Sequence, residues 1–145
     1  MKNKQFALPK NEAELVFSQY AKGEFHTAIK AIKSLNEQYP NQPFLFNLIG
    51  ACYKEIGELP SAAKMFGIAI SYSPKYSEAH FNLGATLQSL GEKESALKCY
   101  KDAVAINPNY PDAHNNLGNL YLSLGFLKEA IESLQWAVAY KHDFS

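Results

Sequence analysis

The chain has 145 residues, 47% of them hydrophobic and 19% charged, which suits one folded domain with a continuous core and excludes a disordered chain. Fourteen acidic side chains balance fourteen basic ones, so no long-range field recommends nucleic acid or an anionic membrane as a partner. The basic residues are all Lys, which withholds the planar guanidinium that phosphate forks and guanine contacts use.

Residues 1–8 read as a short N-terminal extension whose lysines have no apolar stretch behind them, unlike a secretory signal. A unit over 9–42 then opens with Pro9, turns at Gly23 and carries Ala28, Ile32 and Leu35 ahead of Pro40. The next, over 43–76, opens with Pro43, contains Asn47-Leu48-Ile49-Gly50, turns at Gly57 and carries Ala62, Phe66 and Ala69 ahead of Pro74. A third, over 77–110, has Phe81-Asn82-Leu83-Gly84, Gly91, then Ala96, Tyr100 and Ala103 ahead of Pro108. A fourth, over 111–144, opens with Pro111 and has Asn115-Asn116-Leu117-Gly118, Gly125, then Ala130, Leu134 and Ala137. Corresponding residues stand 34 places apart, the signature of a repeat array.

Apolar residues return at three- and four-residue intervals on both sides of each middle glycine, as in Leu83, Leu87, Leu90 and then Ala96, Tyr100, Ala103. That spacing predicts two helices per unit. The middle glycine suits a helix C-cap at positive φ. Pro9, Pro43 and Pro111 open first helices, and Pro60 falls in the first turn of a second helix, where a missing N–H costs nothing. The closing prolines break the second helix. Gly50, Gly84 and Gly118 are expected to face Ala62, Ala96 and Ala130, letting the two backbones approach.

The terminal units depart from the pattern. The first has Val16 for the glycine and Glu12 where the others have Phe46, His80 or His114, and the last has His142 for the proline. Terminal repeats are commonly atypical because they cap a stack. The last helix, about 127–140, is expected to expose Ile131, Leu134 and Val138, with Trp136 outward, where a fifth hairpin would pack. Phe144 stands where Tyr76 and Tyr110 lead into a following unit. The chain is thus either cut at a repeat boundary from a longer protein or covered at this end by self-association.

Over residues 9–144 the sequence resembles the tetratricopeptide repeat family. The shared features are the 34-residue period, the small pair, the bulky residue four places after the Ala, and the closing Pro. The resemblance implies an all-α fold, a right-handed α-solenoid of four antiparallel helix hairpins, forming a single domain over 9–145. It also implies that first helices line a concave groove. The lining it places there comprises Phe17, Tyr20, Phe44, Asn47, Lys54, Phe81, Asn82, Gln88, Asn115, Asn116 and Asn119, with Ser123.

A carboxamide offers both a donor and an acceptor, the chemistry that grips backbone N–H and C=O without reading sequence. Asn82 and Asn116 recur at 34 and form a short ladder, similar to the asparagine ladder of O-linked N-acetylglucosamine transferases. They can equally be helix-surface polar residues. Co-chaperone domains of the family hold a C-terminal carboxylate with Lys, Arg and Asn. Here Asn115, Asp112 and Asn116 stand at the clamp positions and Glu78 adds negative charge, which argues against a heat-shock chaperone tail.

Catalytic signatures are missing: no nucleotide-binding fingerprint, zinc-protease or nucleophile-elbow motif occurs. No cofactor or metal is expected. His80 and His114 occupy equivalent positions, and either replace the usual aromatic or await a third ligand around a metal. His26 and His142 read as solvated. Cys52 and Cys99 read as buried free thiols, consistent with a reducing, cytoplasmic and bacterial setting.

The expected function is therefore a protein-protein interaction module binding an extended peptide or partner segment in its groove, at about micromolar strength, roughly −8 kcal/mol. No independent enzyme activity is expected. The alternatives are the N-terminal recruiting arm of a larger enzyme of glycosyltransferase or sulfotransferase type, and a scaffold that self-associates through its C-terminal hairpin.

Overall fold

A computed structural model describes residues 7–142, and their regular structure is helical throughout. In chain order the helices are α1 (Lys10–Ala21), α2 (Phe25–Gln38), α3 (Pro43–Glu55), α4 (Leu59–Tyr72), α5 (Ser77–Ser89), α6 (Lys93–Ile106), α7 (Pro111–Leu124) and α8 (Leu127–His142). The chain divides into two compact units, Met1–Pro74 and Lys75–Ser145. In the first, α1 pairs with α2 and α3 with α4, and α2 packs on α3. In the second, α5 pairs with α6 and α7 with α8, and α6 packs on α7.

Helix boundaries follow the punctuation in the sequence. Pro43 and Pro111 are the first residues of α3 and α7, and Pro60 lies in the first turn of α4, where no backbone partner is lost. Helices α2, α4 and α6 stop at Gln38, Tyr72 and Ile106, two residues ahead of Pro40, Pro74 and Pro108. With His142 in place of that proline, nothing interrupts α8. It runs for 16 residues, against 14 in α2, α4 and α6, past the expected end near residue 140.

The turn inside each hairpin is closed by backbone alone. Gly91 has φ 83; its N–H donates to the Gln88 carbonyl at 3.0 Å and the Glu92 N–H to the Leu87 carbonyl at 2.9 Å. This Schellman pair satisfies two of the carbonyls that end α5. The same two bonds close the turns at Gly23, Gly57 and Gly125, so the repeat copies a geometry and not only a residue. Glu24, Glu58 and Glu92 follow three of those glycines, where a carboxylate meets the positive end of the second helix. Phe126 takes that place in the fourth hairpin and is exposed.

The close contact between the paired helices differs from the expected one. A Cβ on Gly50 would lie 2.8 Å from the Phe66 ring, one on Gly84 2.9 Å from the Tyr100 ring, and one on Gly118 2.7 Å from the Leu134 side chain. The nearest neighbour that the glycine makes room for is therefore the bulky residue one turn beyond the Ala. At Gly118 the Ala130 carbonyl is also among the nearest atoms, at 3.3 Å. The physical reason is volume: Ala28, Ala62, Ala96 and Ala130 are sealed off, and the large side chain needs a missing Cβ opposite. The first hairpin solves the same problem with a different pair. Val16 replaces the glycine, and Ile32 replaces the ring in the same buried cluster.

Candidate functional site

Within the first unit the residues assigned to the groove have different surroundings. Phe17 of α1 is 53% exposed and tilts against Tyr20 at 6.3 Å, while Tyr20 in turn meets Phe25 at 5.7 Å. Phe44 packs on the buried cluster, and Asn47 is only 5% exposed. Lys54 lies half-buried in the last turn of α3, where a cation suits the negative end of the helix.

In the second unit three amide side chains on α5 and α7 remain half-buried: Asn82, Gln88 and Asn116. Phe81, beside them, is wedged between the rings of Tyr100 at 5.9 Å and Tyr110 at 5.1 Å, so much of it is core. The fully buried Tyr100 of α6 donates its hydroxyl to Gln88 Oε1 at 2.8 Å. That bond ties α6 to α5. Burial pushes the Tyr100 hydroxyl up to about 12, with the Asn116 hydrogen bond opposing the shift.

The exposed amides lie elsewhere on α7. Asn115 borders a cleft of about 180 Å³ shared with Pro111 and Asp112 and with Leu134, Val138 and Lys141 of α8. Asn119, one turn on, is exposed, as is Ser123. Gln88 is thus held by the Tyr100 phenol, while Asn115 borders the last helix. Desolvation of the half-buried Tyr110, reinforced by the negative charge of Glu78 and Asp112, holds its hydroxyl well above the usual range.

Tyr100 is not among the residues that the repeat pattern assigns to the groove. It occupies the second-helix position held by Ile32, Phe66 and Leu134 elsewhere, and the pattern reads it as core. The available signal is its hydroxyl, at a position otherwise apolar. A buried phenol oxygen requires a partner.

The equivalent histidines turn to different neighbours. His80 Nδ1 is 4.0 Å from Asp102 Oδ2. His114 Nε2 lies 2.8 Å from the Pro108 carbonyl, and its ring stacks near Trp136 and Tyr140 at 6.2 and 5.7 Å. His26 is exposed; the side chain of His142 and all of Phe144 lie outside the described residues. Among the described residues no group of three or more His, Cys, Asp or Glu could hold a metal ion, and no helix is long and apolar enough to cross a membrane. Both thiols are free, but only Cys52 is fully buried. Cys99 is half-buried, and desolvation raises both to about 11.

Comparison with known proteins agrees with this architecture. A TPR repeat profile matches residues 86–125 and a tetratricopeptide repeat profile matches residues 111–141. Anaphase-promoting complex subunit 3 of Dictyostelium discoideum is 32% identical over 72 residues, which is 48% of this chain and 7% of that protein's length. Among solved structures, a crystal structure of MamA superposes with a TM-score of 0.83 at 22% identity, over 91% of this chain and 77% of its own. MamA from Desulfovibrio magneticus RS-1, from residue 41 to its end, gives 0.80 at 17% identity over 94% and 77%. With glycine-closed helix hairpins beneath those matches, residues 86–141 belong to the tetratricopeptide repeat family, and the described residues share the all-α solenoid fold of those solved structures.

Proposed function

We propose that the chain binds an extended peptide or partner segment, neutral or basic, along the first-helix face of α5 and α7. The observation that carries this is the amide set itself: Asn82, Gln88 and Asn116 stand half-buried on α5 and α7, with Glu78 and Asp112 near the starts of those helices. Amides match backbone groups of any sequence, and the two acids repel a carboxylate. Each net hydrogen bond contributes about 0.5–1.5 kcal/mol and ordering the peptide costs several, so affinity near the micromolar range follows. Residues 9–145 form one such domain in this reading.

A tiled peptide array separates this role from a purely structural one. The paired change Asn82→Ala and Asn116→Ala should dim the spots bound by the wild type several-fold, with an almost unchanged melting temperature. Spots that keep their intensity would remove the groove from the account.

A second reading is favoured by the exposed apolar residues of α8: Ile131, Trp136 and Val138 make self-association through the last hairpin a further role. The short match to a subunit of a large complex also keeps open a place for these hairpins as a recruiting arm within a longer chain.

A further inference from the structure

Helix α8 carries two chemically different faces. Ile131, Leu134 and Val138 line one cleft, whereas Glu129, Glu132, Ser133 and Trp136 line another. The second set is spaced i, i+3, i+4 and i+7, which places it on one side of the helix. His114, Leu117 and Tyr121 of α7, with Lys101 and Val104 of α6, close that cleft around about 330 Å³.

What the cleft offers is mostly acceptors and rings. Among the described residues neither Glu129 nor Glu132 has an ion-pair partner. Their charge is felt at the wall: burial raises the Tyr121 hydroxyl, and the two carboxylates raise it further. Ser133 is 7% exposed, and among the described residues no hydrogen bond uses its hydroxyl. A buried hydroxyl at a cleft wall without a partner is one that an incoming group can satisfy. His114 Nε2 lies 2.8 Å from the Pro108 carbonyl, which only accepts. Nε2 therefore carries the proton, and Nδ1 is an acceptor in the neutral ring. Trp136 is braced by Tyr140 at 5.4 Å and His114 at 6.2 Å, yet is 53% exposed. Of the aromatic side chains, an indole with open surface attracts a cation best.

The same notch exists two repeats earlier without this chemistry. There a cavity of about 200 Å³ is lined by Phe46, Ile49, Tyr53 and Met65, at the positions of His114, Leu117, Tyr121 and Ser133. Ser61, Lys64 and Ile68 stand where Glu129, Glu132 and Trp136 do. Helix packing makes the notch, and the residues of the last hairpin make it acidic and aromatic.

We propose that this cleft of α6, α7 and α8 is a binding site for the guanidinium of an arginine on a partner protein, the planar cation resting on Trp136 and donating to Glu129, Glu132 and Ser133. A guanidinium presents its N–H donors in one plane and stacks on rings, which suits two carboxylates one turn apart beside an indole. Two carboxylates against the exposed Lys101 ammonium leave the cleft with a net charge of −1. The 145 residues contain no Arg, so a second copy of them does not supply the guest.

Trp136 is the only tryptophan, so its fluorescence reports on this site alone. Acetyl-Gly-Arg-Gly-amide should change the emission saturably at about millimolar concentration, since exposed ion pairs and cation–π contacts are individually weak. Acetyl-Gly-citrulline-Gly-amide, of the same shape without the charge, should leave the emission unchanged, and the lysine tripeptide should bind more weakly than the arginine one. Glu129→Gln with Glu132→Gln keeps both side-chain shapes and should weaken the arginine peptide roughly three- to tenfold at an unchanged melting temperature.

Lys101→Ala should tighten binding, a gain that poor folding does not imitate. A citrulline peptide that binds as well as the arginine one, or wild-type affinity in the paired Gln variant, overturns the site. Lysine binding equal to arginine overturns the guanidinium assignment, and an emission that never saturates with the arginine peptide overturns both. None of these readouts depends on the amides of α5 and α7, so the site stands or falls apart from the peptide-binding reading.

Discussion

Two glycines in helix interiors show how much a single missing Cβ can mean. A methyl on Gly84 would lie 2.9 Å from the Tyr100 ring and 3.2 Å from Cys99 Cβ, whereas one on Gly67 would meet nothing within 4 Å. Gly84→Ala should therefore destabilise the chain by about 1–3 kcal/mol through overpacking, despite its better helix propensity. Gly67→Ala, on the exposed side of α4, should stabilise by about 0.5–1 kcal/mol. Urea unfolding of the two variants checks the pair, and equal shifts in one direction would refute the packing account.

Tyr100 also gives a pH signature at this scale. Its hydroxyl is raised to about 12 in the folded chain against about 10 when unfolded, so the neutral form is the one the fold prefers. That contribution is whole below pH 10 and drains away as pH climbs toward 12. Tyr100→Phe should flatten the decline over that window in stability curves measured from pH 9 to 12.

Among the elements, what the sequence made legible was everything set by local backbone preference. Glycine at the turn, proline at first positions and proline after the second helix mark boundaries through φ and a missing donor, and the helices end where those residues require. One of these marks is Gly91, at φ 83. Gly91→Ala should cost about 1 kcal/mol, because the Schellman closure cannot form without the left-handed conformation. A melting curve with no displacement would argue against it.

Less was legible where the outcome depended on side chains from two helices at once. The period brings Gly84 and Ala96 to the same hairpin, but which residue fills the space depends on the side-chain tilt along α6, and Tyr100 reaches it first. The amides behave similarly. Asn115 and Asn116 are neighbours in sequence, yet on a helix they point about 100° apart, one to the α8 cleft and the other to Tyr100. Composition marks both as amides and cannot tell their partners apart.

Taken as a whole, the chain presents on α8 an apolar face of a kind that it buries elsewhere. Leu97 and Val104 of α6 pack into the cluster that holds α7. Ile131 and Val138 occupy the same repeat positions on α8 and are each 56% exposed, and Trp136 is 53% exposed although stacked on Tyr140 at 5.4 Å. Ile131, Leu134 and Val138 line an open cleft of about 530 Å³ there. The exposure expected of Ile131, Val138 and Trp136 is present, whereas Leu134 is half-buried over Gly118. Covering a large aliphatic side chain gains about 1.5–3 kcal/mol, while bringing two chains together costs about 4–15 kcal/mol. Three or four such residues offset that cost only narrowly, so association through this face should be weak and concentration-dependent. Sedimentation velocity should show the wild type moving to larger species between micromolar and millimolar concentration. Ile131→Glu with Val138→Glu should remain monomeric over the same range with unchanged helicity, since both side chains already face water. A double variant that associates like the wild type would place the contact on some other surface, and a wild type that stays monomeric throughout would leave α8 without this role.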